Sequence, residues 1–167
     1  ESELLPDAYL MMAEHYFNQD VMTIARQNYE EVLNYPESSI FNYPIYKIAW
    51  VDLNEDLFVD ALDRFQRVVA NLDANPEDTL DFRNQALNDM LIAYAEIDDG
   101  WIAARDYFEN LEGEQFMRRK LSQLTNLYDE QGKDESRIAV FGYFMERYPY
   151  DPMVPQWAAD TLASLSN

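Results

Sequence analysis

Cysteine is absent from the 167 residues, which excludes disulfides, thiolate metal sites and cysteine nucleophiles. Glycine occurs only at 100, 113, 132 and 142, and these positions form no phosphate-cradling loop. Histidine occurs once, as His15, expected on a helix surface or between helices. A single imidazole without thiolates makes transition-metal ligation a poor fit, and no base stands ready to activate a serine or threonine. Apolar runs of eighteen residues are missing and mean hydropathy is −0.45, so no membrane-spanning helix is expected. Positive charge is scarce: lysine occurs only at 47, 120 and 133. Against 12 basic residues stand 32 acidic ones, a formal net charge of −20. That field repels nucleic acid and anionic lipid, both of which need a positive face. It suits either a solvated, salt-adapted surface or an acidic groove for a cationic partner. No enzyme and no cofactor are expected.

What the chain has in quantity is apolar and aromatic residues, 48% and 14% of the total. That is too rich for a disordered acidic tail. Nearly every segment carries a 3.6-residue apolar period, and none alternates as a strand would. Nine helices are expected. The first covers about 7–18, with Tyr9, Met12, Ala13 and Tyr16 inward. The second covers about 20–34, with Asp20 as N-cap and Ala25, Tyr29, Val32 and Leu33 inward. The third (42–53) and fourth (56–73) turn Ile45, Ile48, Ala49, Leu53, Ala61, Phe65 and Val68 inward. The fifth (77–97) and sixth (100–111) bury Leu87, Leu91, Tyr94, Ala104, Phe108 and Leu111. The seventh (114–130) carries Leu121, Leu124 and Tyr128 and ends at Gly132. The eighth (134–147) carries Ala139, Phe141 and Phe144, and a ninth runs from about 155 through Trp157, Ala158 and Leu162.

The aromatic anchors of the even-numbered helices, Tyr29, Phe65, Phe108 and Phe141, are spaced by 36, 43 and 33 residues. A small residue stands four places before each of the first three (Ala25, Ala61, Ala104), with Arg137 in the fourth. Pro36, Pro76 and Pro149 close three of the units. This pattern resembles the tetratricopeptide repeat, whose period is about 34 residues. It implies an all-α, right-handed solenoid of about four helix pairs, 7–36, 42–76, 77–112 and 114–149, with a terminal helix over 153–165. The whole is expected to be one repeat domain within a longer protein.

A narrower resemblance rests on Ala13-Glu14-His15-Tyr16-Phe17-Asn18-Gln19-Asp20, Tyr29-Glu30-Glu31-Val32-Leu33 and Tyr46-Lys47-Ile48-Ala49-Trp50. It continues through Ala61–Val69, Arg83–Met90 and Leu121–Gly132. These stretches resemble the deltaproteobacterial envelope tetratricopeptide proteins associated with adventurous gliding motility. The resemblance implies a periplasmic or outer-membrane-associated scaffold within a larger envelope assembly. The chain opens at Glu1 without a basic, apolar leader, and any signal peptide is expected to have been removed or to lie outside this sequence.

In repeats of this kind the first helix of each pair lines the concave face. Transferred by register, the partner-binding positions are Leu10, Glu14, Phe17, Tyr43, Tyr46, Trp50, Asn54, Arg119 and Asn126, with Ser122 beside them. Glu14 and Trp50 stand where a carboxylate clamp would place asparagine, which argues against that mode. An aromatic, acidic groove instead suits apolar anchors on a partner peptide or helix, with a basic flank. For Tyr46 and Trp50, packing between repeats is the competing role. The acidic groups at Asp52/Glu55/Asp56, Asp98/Asp99 and Asp129/Glu130/Asp134 read as solvated loops and helix starts. A calcium loop from Asp52 fails, because Leu57 takes the turn-glycine place and Asp63 the bidentate-glutamate place. Arg118-Arg119-Lys120 reads as a helix face paired with acids, or as a docking spot for an acidic peptide. A self-assembly or spacer module is the alternative function.

Overall fold

Among the described residues of the computed structural model, 5–75 and 82–165, nine α-helices are found and no strand. They are α1 (Leu5–Asn18), α2 (Met22–Val32), α3 (Asn42–Asn54), α4 (Phe58–Ala74), α5 (Arg83–Glu96), α6 (Gly100–Glu112), α7 (Glu114–Glu130), α8 (Asp134–Arg147) and α9 (Val154–Leu165). Pro76 and the expected start of the fifth helix near 77 lie outside the described residues. Pro6, Pro44 and Pro155 sit in the first turns of α1, α3 and α9. There the missing N–H removes no helical hydrogen bond.

The helix-to-helix turns repeat. Asp20, Asp56, Asp99 and Gly132 all have positive φ, between 53° and 67°. Each lies nine residues before the aromatic anchor of the following helix: Tyr29, Phe65, Phe108 and Phe141. At three of these turns the same pair of hydrogen bonds closes the helix. Val21 N–H reaches the Tyr16 carbonyl and Asp20 N–H the Phe17 carbonyl; Leu57 and Asp56 reach Asp52 and Leu53; Lys133 and Gly132 reach Tyr128 and Asp129. This is the Schellman closure, in which a left-handed residue lets two otherwise orphaned carbonyls find donors. Gly132 behaves as expected. Asp20 does not: it ends α1, while the N-cap of α2 is Val21, which makes no side-chain cap. An aspartate can adopt the left-handed conformation because its short polar side chain tolerates it, at a cost glycine avoids.

The four anchors are buried, Tyr29, Phe65 and Phe108 at 0% exposure and Phe141 at 7%. Burying each ring contributes about 1.5–3 kcal/mol relative to leaving it in water. The alanines four places earlier, Ala25, Ala61 and Ala104, are fully buried and let neighbouring helices approach. Arg137 takes that place in α8, its guanidinium 5.8 Å from the Phe141 ring and paired with Asp129. Met12, expected inward, is exposed: the small Ala13 is the residue that α2 covers, and Met12 falls on the next face of α1.

The chain divides into two compact units, 1–93 and 94–167. In the first, α1 packs on α2 and α3 on α4, and α2 also meets α3. Ala13, Ala25, Tyr29, Ile48 and Val51 form one core, edged by Leu10, Tyr16, Phe17, Met22 and Leu33. In the second, α6 packs on α7 and α8 on α9, with a lesser contact of α7 with α8. Phe144 stacks at 5.1 Å on Trp157, which seats α9. Gly113 alone joins α6 to α7, at φ 86°.

One acid departs from its expected place. Asp52 is 0% exposed, not part of a solvated loop. Arg26 from α2 approaches its Oδ1 at 2.8 Å and Arg64 from α4 its Oδ2 at 3.0 Å. Glu55 reinforces Arg26 at 2.5 Å. Three helices of the first unit are therefore held by one buried carboxylate.

Candidate functional site

The residues of interest sit on α1 and α3 and on the part of α5 that lies in the first unit. In α3, Tyr43, Tyr46, Lys47 and Trp50 recur at three- and four-residue steps, so one helical stripe carries them all. Phe17 from α1 and Phe82 and Gln85 from around the start of α5 complete a cleft of about 390 Å³. The walls are aromatic and mutually packed. Tyr46 lies 5.8 Å from Phe65, 5.3 Å from Phe82 and 6.2 Å from Tyr43, and Tyr43 lies 6.0 Å from Phe82 edge-on.

Two carboxylates hold this stripe. Asp89 Oδ2 accepts the Tyr46 hydroxyl at 2.6 Å and the Trp50 indole N–H at 3.2 Å. Glu14 accepts the Tyr29 hydroxyl at 2.5 Å and also a hydrogen bond from Tyr43. Burial raises the hydroxyl pKa of Tyr29, Tyr43 and Tyr46, and the adjacent carboxylates raise it further. All three therefore stay neutral donors throughout the physiological range. Lys47 is the cation of the cleft. Its ammonium stands 3.7 Å above the centre of the Phe17 ring and 3.5 Å from Glu14, with its side chain only 12% exposed.

Four of the nine expected binding residues, Phe17, Tyr43, Tyr46 and Trp50, are thus gathered on one cleft. Tyr46 is 5% exposed, so it is a packed wall and not the free anchor its register suggested. Glu14 stands behind the cleft as an acceptor. Leu10 belongs to the edge of the core, and Asn54 is exposed and donates to the Trp50 carbonyl at 2.7 Å. Arg119, Asn126 and Ser122 lie on α7 in the second unit and are exposed, Arg119 with its guanidinium 5.4 Å from the Phe116 ring. The register did not point to Lys47, Phe82, Gln85 or Asp89. The step of four from Tyr43 to Lys47 was a readable signal. Asp89 was not, because its partners come from another helix.

Neither a family model nor a curated protein matches this chain. His15 is exposed and meets Gln19 at 3.1 Å. Of the basic run on α7, Arg118 pairs with Asp151 and stacks over Tyr148, whereas Lys120 is buried above Phe108 and Phe116. Burial lowers the Lys120 pKa. That run therefore offers no continuous basic face. Among the described residues, no three acidic or histidine side chains gather as a metal would require, and no helix is long and apolar enough to cross a membrane.

Proposed function

We propose that this protein is a non-catalytic interaction scaffold whose first unit holds a partner peptide or helix in the aromatic cleft. The observation that carries the reading is the convergence of Phe17, Tyr43, Tyr46 and Trp50 on one concave, partly open surface. Rigid aromatic side chains offer large contact area at small entropic cost, which is why interfaces concentrate their energy on them. The constant offset of nine residues between turn and anchor supports reading the chain as tetratricopeptide-like helix pairs, stacked as a right-handed solenoid. By the sequence resemblance, the setting is a periplasmic or outer-membrane-associated assembly related to gliding motility.

The test is site-specific photo-crosslinking from position 43, with position 59 on α4 as control, since Val59 is 71% exposed and does not line the cleft. The partner captured from position 43 is then titrated against Trp50→Ala. A loss of about 1–3 kcal/mol in binding with unchanged melting supports the reading. Equal capture from both positions refutes it.

A second reading, a self-assembly or spacer module, is favoured by one observation. On α9, Leu162 and Leu165 are 66% and 68% exposed. Sedimentation of the wild type against Leu162→Glu decides whether that face joins copies.

A further inference from the structure

The cleft carries a sign as well as a shape. Among the described residues Lys47 is the one charged group that lines it, while Glu14 and Asp89 stand behind its walls as acceptors of Tyr43, Tyr46 and Trp50, so the three together carry a net negative charge inside a chain of net −20. The chain also shows what such a place holds. A desolvated ammonium sits on an aromatic face with a carboxylate beside it, at 3.7 Å and 3.5 Å. Phe17 is the weaker kind of receptor for a cation. Trp50 and Tyr43 are the stronger kind, and among the described residues no cation stands over either.

Resting on the partner-binding reading above, we propose that the cleft recognises a cationic side chain of the partner, arginine before lysine. The guanidinium lies against Trp50 and Tyr43 with Glu14 as counter-charge, and the Lys47 ammonium gives way. Arginine is favoured because its planar, weakly hydrated head stacks on aromatic rings and loses less hydration than an ammonium. An anionic ligand is disfavoured twice. The whole field repels it, and Lys47, among the described residues the one cation lining the cleft, is already engaged by Glu14 and Phe17.

The test uses the whole chain and two small probes, N-acetyl-arginine methylamide and its neutral isostere N-acetyl-citrulline methylamide. The readout is the Trp50 indole N–H resonance, with Trp101 and Trp157 as references in the same spectrum. At 0.3 M salt, which suppresses long-range attraction, the arginine probe is expected to shift the Trp50 signal with about tenfold higher affinity than citrulline. Glu14→Gln, which keeps an acceptor for Tyr29, should lower the arginine affinity about fivefold and leave citrulline unchanged. Lys47→Met, which removes the internal competitor, should raise it. Circular dichroism confirms that both variants are folded.

Equal response to the two probes overturns the proposal and leaves an apolar-anchor cleft standing. An arginine response that Glu14→Gln and Lys47→Met do not alter overturns it as general surface attraction. No response to either probe, with position-43 crosslinking intact, also defeats the cationic specificity alone. Failure of that crosslinking defeats the scaffold reading itself.

Discussion

Replacing Tyr46 separates the two roles its position can have. Its ring fills the space between Phe65 and Phe82, and its hydroxyl is one of two donors to Asp89. Tyr46→Phe keeps the ring and removes the donor. A hydrogen bond to a charged acceptor is worth about 1.5–3 kcal/mol. Asp89 retains the Trp50 N–H and is partly open to water, so the expected loss is about 1 kcal/mol. Tyr46→Ala removes the ring as well, and the cost rises to about 3–5 kcal/mol, the usual penalty for deleting a buried aromatic and leaving a gap, here between Phe65 and Phe82. Urea denaturation followed by circular dichroism measures both. A cycle with Asp89→Asn should return a coupling of about 1 kcal/mol between hydroxyl and carboxylate. The reasoning fails if Tyr46→Ala costs less than about 1 kcal/mol, since a buried aromatic cannot be deleted so cheaply.

Asp52 provides a pH test. Burial raises its pKa above the ordinary 3.8, more than Arg26 and Arg64 lower it. An acid whose folded pKa is raised binds its proton more tightly when folded, so its contribution to stability falls as pH climbs above 3.8. Measured by urea denaturation, the stability of wild type relative to Asp52→Asn should therefore decline from pH 4 to 7; a rise would mean that the arginines outweigh burial. At the turns, Asp20→Gly and Asp56→Gly should each stabilise by about 1 kcal/mol, by relieving left-handed strain and removing an acid from a helix C-terminus. Equilibrium unfolding showing a loss at both turns would contradict the Schellman assignment. Finally, melting temperature should rise from low ionic strength to a few hundred millimolar salt, because screening relieves the repulsion among 32 acids; a fall would contradict this.

Much of the fold was legible because helical periodicity is a local signal. The stripe of Ala25, Tyr29 and Val32, or of Leu121, Leu124 and Tyr128, shows which face of each helix must leave water. These residues are indeed buried. Gly132 was legible for the same local reason, since glycine favours a left-handed stop. Asp20 was misread because aspartate before an apolar helix serves equally as N-cap or, as here, as the last residue of the preceding turn. Of the candidate site, the stripe Tyr43, Tyr46 and Trp50 could be named in advance. How much of each ring faces solvent could not, because it depends on Phe82, just ahead of α5, and on Asp89 within it.

The sequence by itself determined the helices, their inward faces and the spacing of their anchors, all governed by steps of three or four residues along one chain. The tertiary structure decided which charges leave water. Asp52 and Asp56 are both acids at the end of the same helix. One is buried between arginines 26 residues before it and 12 after it; the other is an exposed turn residue. Lys47 likewise became a cleft residue because Phe17 and Glu14 on another helix receive it. Desolvating a charge is tolerable only where a partner of opposite sign is brought close, and that proximity is set by helix packing.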